Sequence, residues 1–246
     1  MAADIAGKTA LVTGASGGIG RAIALQLAQA GADVIVHYAN GQDRAEETVR
    51  LITGAGGRAR SAQADLRSAA GVQALVAASG QGIDILVNNA GVARGQTLEE
   101  TTEEDFDTVF STNVRGVFFL TQALLPHLND HASIINISSM VSIVAYPSVI
   151  AYSMSKAAQN AFTLSLAAHL APRGIRVNGI APGATDSDFL SGIKDNAQVM
   201  GAITGMTAFG RLGTPDEIAR AVTFLASPDG AWITGQVIQV SGGMHL

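Results

Sequence analysis

A tyrosine and a lysine four residues apart, Tyr152 and Lys156, form the pattern in this chain that is best suited to proton chemistry. On a helix this spacing places both side chains on one face, a single turn apart. A free tyrosine titrates at about 10 and a free lysine at about 10.4. Because a nearby cation favours phenolate, we expect Lys156 to lower the pKa of Tyr152 toward neutrality. Tyr152 would then give or take a proton at physiological pH.

A serine upstream of this pair is suited to bind the oxygen of a substrate carbonyl. Ser139 stands thirteen positions before Tyr152, at the end of an apolar run, and its neighbour Ser138 competes for the same role. A tyrosine–lysine pair at this spacing is also common on exposed amphipathic helices, so the pair alone does not establish catalysis. The elements that position these side chains must supply the remaining evidence.

A glycine-rich turn follows the first predicted strand, Lys8–Thr13. It reads Thr13-Gly14-Ala15-Ser16-Gly17-Gly18-Ile19-Gly20 and leads into a predicted helix over Arg21–Ala30. Strand, glycine turn and helix together are suited to hold a pyrophosphate, since glycines admit the phosphates and the helix N-terminus offers unpaired N–H groups. The spacing differs from the usual G-x-G-x-x-G, but its position after the first strand favours a dinucleotide site.

The end of the second predicted strand, Asp33–Tyr38, bears on the choice of dinucleotide. An acid about 20 residues after the glycine turn would bind a ribose hydroxyl and select NAD. Here the chain reads His37-Tyr38-Ala39-Asn40, with no acid, so a 2′-phosphate is not repelled and NADPH is favoured. The nearest arginine is Arg44, and NADH stays open as the alternative.

Strands and helices alternate along the rest of the chain. The further predicted strands are Arg58–Ala64, Ile83–Val87, Ser133–Ile137, Ile175–Ile180 and Val237–Val240. The further predicted helices cover Gln42–Ile52, Ser68–Ala78, a segment from Thr101, a segment through Tyr152 to about Leu170, and one opened by Thr214-Pro215-Asp216-Glu217. The pattern predicts a single α/β domain over residues 1–246, with a doubly wound parallel sheet of about seven strands and helices on both faces.

The helix after Thr101 and residues 187–210 differ in composition from the other predicted elements. The helix after Thr101 is expected to present one core face and to contain Asn113, a poor helix former. That core face comprises Phe106, Val109, Phe110, Val114, Val117, Phe118 and Leu120. Residues 187–210 are rich in Ser, Gly and Met, and we interpret them as a mobile substrate lid. No linker divides the chain.

Composition narrows the function classes. The chain has 246 residues, 48% of them hydrophobic, a net charge of −5 and no cysteine. No Lys/Arg cluster favours nucleic acid or an anionic membrane surface. The N-terminus lacks a signal-peptide pattern, and no apolar stretch reaches the roughly 20 residues of a membrane helix. The histidines show no metal-ligand spacing, so no metal is expected and we interpret them as structural or surface residues. These features predict a cytoplasmic protein that binds small molecules.

Several short motifs follow one another along the chain. They are Thr13-Gly14-x-x-x-Gly18-x-Gly20, Asp65-Leu66, Asn88-Asn89-Ala90-Gly91, Asn113, Ser139, Tyr152-x-x-x-Lys156 and Pro182-Gly183. In this order and at these intervals the chain, from Lys8 to Gly243, resembles the short-chain dehydrogenase/reductase family. The resemblance implies a Rossmann fold, a nicotinamide cofactor and reversible hydride transfer between an alcohol and a carbonyl. It also implies a cofactor-binding part over about 8–138 and a catalytic part over about 139–246.

The resemblance assigns roles to individual residues. Ser139, favoured over Ser138 by its interval to Tyr152, would bind the substrate oxygen and Tyr152 would donate the proton. Lys156 would hold the nicotinamide ribose, and Asn113 would anchor a water in the proton relay. The implied cofactor contacts are Gly14, Ser16, Gly18, Ile19 and Gly20 at the phosphates, Tyr38, Asn40, Asp65, Leu66, Asn89, Ala90 and Gly91 around the adenosine and ribose, and Tyr152, Lys156, Pro182, Gly183 and Thr185 at the nicotinamide.

Simpler interpretations of these residues remain open. Asn113 could bond only backbone, Asp65 could cap a helix, and Asn88-Asn89 could form a turn. The chain also departs from its relatives: Thr185 stands where they usually carry an aliphatic residue, and Gly17 replaces a basic residue found in many NADP-using members. Thr185 is expected to change the nicotinamide contacts slightly, and Gly17 weakens the case for NADPH.

By resemblance, the nearest subgroup is the 3-oxoacyl-(acyl-carrier-protein) reductases and related NADPH-dependent ketone and naphthol reductases. The segment His127–His131 offers no Lys or Arg for docking a carrier protein, although Arg173 is available. We therefore expect a ketone or small thioester substrate. An NAD-dependent secondary alcohol dehydrogenase and a non-catalytic NADP-binding regulator are the alternatives. Relatives are usually tetramers through the Tyr152 helix and its neighbour, so a homotetramer, or a homodimer, is expected.

Overall fold

The computed structural model describes residues 5–187, 192 and 195–245, which form seven strands with helices between them. The strands are β1 Thr9–Val12, β2 Asp33–Tyr38, β3 Arg58–Gln63, β4 Ile83–Asn88, β5 Leu128–Ile137, β6 Arg176–Pro182 and β7 Val237–Val240. The α-helices are α1 Gly18–Gln29, α2 Gln42–Gly54, α3 Ala69–Ser79, α4 Glu103–Phe110, α5 Val117–Leu124, α6 Ile150–Leu170, α7 Ala197–Gly205 and α8 Pro215–Ala226.

The strands form one parallel sheet in the order β3-β2-β1-β4-β5-β6-β7. The chain winds outward in one direction from β1 to β3 and in the other from β4 to β7. This reversal leaves a crevice at the carboxyl ends of β1 and β4, where ligands bind in open α/β sheets. The predicted doubly wound parallel sheet is confirmed.

Helices cover both faces of the sheet and enclose two apolar cores. Along β1, Val12 faces the core under α1 and α8, and Leu11 faces the core under α3, α5 and α6. Neighbouring strand residues point to opposite faces, so a strand buried on both sides reads as a continuous apolar run. Both side chains are completely buried, which stabilises the fold by about 1.5–3 kcal/mol each.

Helix starts follow the capping chemistry of the sequence. The Thr214 hydroxyl accepts from the Glu217 N–H, and the Glu217 carboxylate accepts from the Thr214 N–H at 2.8 Å, which completes a capping box before Pro215. The Ser68 hydroxyl accepts from the Gly71 N–H at the start of α3, and the Thr102 hydroxyl accepts from the Asp105 N–H at the start of α4. These side chains satisfy N–H groups that the first helical turn leaves unpaired.

The segment after Thr101 departs from the single helix that we expect. A π-helical turn, Ser111–Gly116, separates α4 from α5 and carries Asn113. The predicted core face is wrong at Phe118, which is 45% exposed, while Val109, Val117 and Leu120 are buried. The π-turn rotates the helix face, so a regular helical spacing does not carry across it.

Residues 187–210, interpreted above as a lid, are described only in part. Residues 188–191 and 193–194 lie outside the described residues, and Ala197–Gly205 forms α7. The mobility of this segment stays a prediction. In the described part of the chain, no helix is both long and apolar enough to cross a membrane.

Candidate active site

The carboxyl edge of the sheet gathers the residues singled out by the sequence. Ser139 follows β5, the glycine turn follows β1, Gly91 lies just past β4, and Pro182 ends β6. The segment His127–His131 lies at the start of β5, at the opposite edge. Its lack of basic residues therefore says nothing about docking at the mouth of the site, and our use of it above was wrong.

Ser139 and Tyr152 are joined directly by a hydrogen bond between their side chains. Ser139 has an extended backbone after β5, and its hydroxyl also accepts from the Val141 N–H at 3.4 Å. Ser138 is buried, and its hydroxyl donates to the Lys156 carbonyl at 3.3 Å. Of the two candidate serines, Ser139 is therefore the one in contact with the tyrosine hydroxyl.

Lys156 is buried beneath the tyrosine. Its ammonium donates to the Ile137 carbonyl at 2.7 Å and to the Gln159 side-chain oxygen at 3.3 Å, and lies 5.7 Å from the centre of the Tyr152 ring. Burial lowers the pKa of Lys156 to about 7. Burial also raises the pKa of Tyr152 to about 12, against the lowering effect of the Ser139 hydrogen bond. The expected lowering of the Tyr152 pKa is therefore wrong, because burial disfavours phenolate more than its neighbours stabilise it.

Asn113 is fixed by bonds at both ends of its side chain and at its carbonyl. The side-chain oxygen accepts from the Val92 N–H at 2.8 Å, and the side-chain nitrogen donates to the Val92 carbonyl at 2.8 Å and to Ser155 at 3.0 Å. The Asn113 carbonyl accepts from the Gln159 side-chain nitrogen at 2.6 Å. Asn113 therefore bonds more than backbone, and through Gln159 it is linked to Lys156, a connection that the sequence pattern did not reveal.

The glycine turn is shaped to admit a ligand close to its backbone. Gly14 has φ 64°, and a methyl group on Gly20 would lie 2.2 Å from the Gly14 carbonyl oxygen, which excludes any larger residue there. Asn89 donates to the Thr13 and Gly14 carbonyls at 2.8 and 3.1 Å, so its amide braces this turn. The position of Asn89 beside the adenosine stays a prediction.

The N-terminus of α1 is suited to an anion. Gly17 precedes it with an extended backbone and without a side-chain cap, so the first N–H groups of the helix have no side-chain acceptor at that position. Arg21 connects the turn to α2, since its guanidinium donates to the Ser16 carbonyl at 2.7 Å and to the Thr48 hydroxyl at 3.0 Å. Ser16, Gly18 and Ile19 lie on this same turn. The turn therefore fits a dinucleotide pyrophosphate.

His37 supports the same turn from β2. Its Nδ1 accepts from the Gly14 N–H at 3.2 Å, and its Nε2 lies 3.1 Å from the Ala64 carbonyl, so the neutral ring bridges two strand ends. Burial lowers the pKa of His37 to about 4 and keeps the ring neutral. Our sequence interpretation treated His37 as a structural or surface residue, without this link to the cofactor turn.

Three further residues lie at the end of β2 or shortly after it: Tyr38, Asn40 and Arg44. The Tyr38 ring is buried in the core, and a cofactor contact at Tyr38 stays a prediction. Asn40 is exposed beyond β2. Arg44 lies close to this loop, since a methyl group on Gly41 would be 3.0 Å from its Nε. An arginine therefore lies beside the loop at the end of β2.

The remaining predicted contacts also lie along the carboxyl edge. Asp65 follows β3 and binds Arg67, whose hydrogen bonds hold the pKa of that carboxyl below its usual value. The Leu66 side chain is buried in the core. Gly183 lies so close to Ser241 that a methyl group there would be 2.8 Å from its Cα. Thr185 is buried and donates to the Gly183 carbonyl at 3.0 Å, and Ala90 donates through its N–H to the Thr13 hydroxyl.

Comparisons with known proteins agree with this arrangement. A protein-family model described as enoyl-(acyl carrier protein) reductase matches residues 14–245. An uncharacterised oxidoreductase of Methylorubrum extorquens is 47% identical over 97% of this chain and 98% of its own length. The 3-oxoacyl-[acyl-carrier-protein] reductase FabG of Staphylococcus aureus is 41% identical over the same shares. The angucycline C-6 ketoreductase LanV, solved with bound NADP, superimposes with a TM-score of 0.93 at 41% identity, over 99% of this chain and 97% of that one.

Proposed function

The chain belongs to the short-chain dehydrogenase/reductase family, and from that premise we propose that it reduces a ketone or a 3-oxoacyl group to the secondary alcohol with NADPH. The observation that carries the proposal is the hydrogen bond between Ser139 and Tyr152 above the buried Lys156, at the carboxyl edge of the sheet. Two hydroxyl groups and one cation meet where a carbonyl oxygen would gain negative charge.

The reaction needs a proton on the substrate oxygen. Bound NADPH supplies the hydride that the carbonyl carbon accepts. Ser139 donates a hydrogen bond to the carbonyl oxygen, and Tyr152 transfers its hydroxyl proton to that oxygen as the C–O double bond becomes single. With a pKa of about 12, Tyr152 holds its proton at neutral pH. Lys156 stabilises the resulting phenolate while it is charged.

Support for NADPH comes from the end of β2 and from a structural neighbour. The loop after His37 carries no acid that would repel a 2′-phosphate, and Arg44 lies against it at Gly41. The neighbour LanV holds NADP in its crystal structure. We therefore propose that the 2′-phosphate is accepted at this loop and that NADH binds more weakly.

The wall beyond Ser139 supports a ketone with an apolar body. Met140 and Met244 are buried there together, Tyr146 packs against them, and its hydroxyl lies 3.6 Å from the Met206 sulfur. Methionine side chains adapt to irregular apolar surfaces. We propose a free ketone or a small 3-oxoacyl thioester as the substrate, whereas the name of FabG specifies a 3-oxoacyl group bound to a carrier protein.

We also propose that the protein assembles as a homotetramer, or a homodimer, through α5 and α6. Phe118, Phe119 and Leu164 lie on these helices and are 45%, 42% and 56% exposed. Apolar side chains grouped on neighbouring helices are typical of an interface. Sedimentation equilibrium tests this directly: a monomer at micromolar concentration would contradict the proposal.

The test of the reaction is oxidation of NADPH, with NADH in parallel, against a panel of ketones and 3-oxoacyl thioesters. We expect turnover with NADPH well above NADH, and loss of about 100-fold or more in Tyr152→Phe, the range of a lost general acid. Tyr146→Phe is the matched control, since it removes only the contact with the Met206 sulfur.

Three other results of this assay would contradict the proposed function. Faster turnover with NADH would favour an alcohol dehydrogenase. Strong selectivity for carrier-bound 3-oxoacyl groups would contradict the proposed substrate. Tight binding of NADPH without turnover of any substrate would favour a regulator.

A further inference from the structure

Gln159 occupies a central place between two of the residues discussed above. It lies on α6 three residues after Lys156 and is 2% exposed. Its side-chain oxygen accepts from the Lys156 ammonium at 3.3 Å, and its side-chain nitrogen donates to the Asn113 carbonyl at 2.6 Å. Both ends of one amide are therefore used, one on the lysine and one on the π-turn.

The π-turn makes the Asn113 carbonyl available for this contact. Within Ser111–Gly116 the regular ladder of α-helical hydrogen bonds is interrupted. The Asn113 side chain is held by Val92 and Ser155, which fixes the direction of its carbonyl. The resemblance predicts a relay water on Asn113. The structure shows a link made by the Gln159 side chain between the Asn113 carbonyl and the lysine, and the relay water stays a prediction.

This link also orients the Lys156 ammonium. An ammonium has three N–H donors, and two of them are directed by the Ile137 carbonyl and the Gln159 oxygen. The surroundings on the other side are Gly91, where a methyl group would lie 3.4 Å from the Lys156 nitrogen, and the Tyr152 ring. Of the titratable side chains in the described residues, Tyr152 is the one set against this ammonium.

We infer that Gln159 is a positioning residue that bridges Lys156 to the Asn113 carbonyl and so directs the remaining N–H of the lysine toward the reaction site. The inference rests on the proposed function, in which Lys156 acts beside Tyr152. Because a carboxamide carries both an acceptor and a donor, one side chain holds the lysine ammonium and the Asn113 carbonyl at the same time.

The test measures Lys156 itself, independently of turnover. The measurement is an NMR titration of protein labelled with isotope in lysine. The chain has three lysines, Lys8, Lys156 and Lys194, so the spectrum contains few signals, and Lys156→Met identifies the signal of Lys156. We expect Gln159→Met to lower the titration midpoint of Lys156 by about one pH unit through loss of an acceptor. Gln159→Glu should raise it by a similar amount through the added negative charge.

A structural role alone would not move the midpoint in opposite directions. Thr163→Val is the matched control, because Thr163 is buried one turn further along α6, and its hydroxyl accepts from Asn136 and donates to the Gln159 backbone carbonyl rather than to the side-chain amide that holds the lysine. It should lower thermal stability and leave the Lys156 midpoint unchanged. Midpoints that agree within about 0.3 units in the wild type, Gln159→Met and Gln159→Glu would overturn the inference.

Turnover separates this inference from the proposed function. In an active enzyme, the alkaline limb of kcat/KM should shift in the same two directions as the NMR midpoint, with about a 10-fold loss of kcat in Gln159→Met. If the wild type reduces no substrate but the midpoints still shift, the reaction proposal fails and the bridge stands. If the wild type is active but the midpoints coincide, the bridge fails alone.

Discussion

The Lys156 ammonium lies 5.7 Å from the centre of the Tyr152 ring and donates to the Ile137 carbonyl at 2.7 Å. Burial acts on the two groups in opposite directions, lowering the lysine pKa to about 7 and raising the tyrosine pKa to about 12. Each group is thereby held closer to its neutral form. At neutral pH the pair is suited to carbonyl reduction, since Tyr152 keeps the proton that the carbonyl oxygen accepts.

The first prediction concerns the pH dependence of ketone reduction. Lys156 is cationic below its pKa of about 7 and loses its charge above it. We expect kcat/KM to fall as pH rises through about 7, because this parameter reports ionisations of the free enzyme. Initial rates measured between about pH 6 and pH 9 test this, and a level profile across that range would contradict the role of the cation.

Much of this geometry can be predicted from the sequence, because it depends on residues that are close together in the chain. Buried parallel strands need apolar runs, so Asp33–Tyr38 and Val237–Val240 match the structure at both ends. Gly20 is required wherever the turn closes on itself, because any side chain there would collide with the Gly14 carbonyl. The threonine cap at Thr214 acts within four residues.

Other features depend on residues far apart in the chain. The bridge from Gln159 to Asn113 spans 46 positions and requires a π-turn that leaves no periodic signal. The pKa values of Tyr152 and Lys156 depend on how completely the fold encloses them, and spacing alone suggests the opposite shift for the tyrosine. The exposure of Phe118 likewise follows from the rotation at the π-turn.

The second prediction tests the close approach of backbone at the glycine turn. In Gly20→Ala the added methyl would lie 2.2 Å from the Gly14 carbonyl oxygen and 2.5 Å from the Asn89 side-chain nitrogen. We expect NADPH binding to be lost and the free energy of unfolding to fall by about 2 kcal/mol, as for overpacked sites. Fluorescence titration and urea denaturation measure the two effects.

Gly54→Ala is the matched control for this substitution. Gly54 ends α2 and has no atom within 4 Å of an added methyl. The change should raise stability by about 0.5 kcal/mol through the unfolded chain and leave NADPH binding unchanged. Equal effects of the two alanines would show that the turn does not depend on its close contacts.

The third prediction concerns cofactor selectivity. Arg44 lies against Gly41 beyond the end of β2, where the 2′-phosphate is proposed to bind. Losing one charge-assisted hydrogen bond costs about 1.5 kcal/mol, so we expect Arg44→Gln to weaken NADPH binding about 10-fold and to leave NADH binding unchanged. Arg50→Gln is the control, because Arg50 lies further along α2 and pairs with Glu47. Equal loss for both cofactors would exclude a phosphate contact.

The fourth prediction concerns stability in mild acid. His37 is 1% exposed and has a pKa of about 4 in the folded chain against 6.5 ordinarily. Between these values the unfolded chain binds a proton that the folded chain excludes, so stability rises with pH across this window and falls as pH drops through it. The shift corresponds to about 3 kcal/mol between about pH 6.5 and pH 4.

Urea denaturation at a series of pH values measures this slope. In His37→Asn the slope between about pH 4 and pH 6.5 should flatten, because the amide does not titrate. NADPH affinity should also weaken in the variant at neutral pH, since the Gly14 N–H loses its acceptor on the ring. If the wild type and His37→Asn show the same slope, the ring is not held neutral by burial, and its bridge from Gly14 to Ala64 does not form in solution.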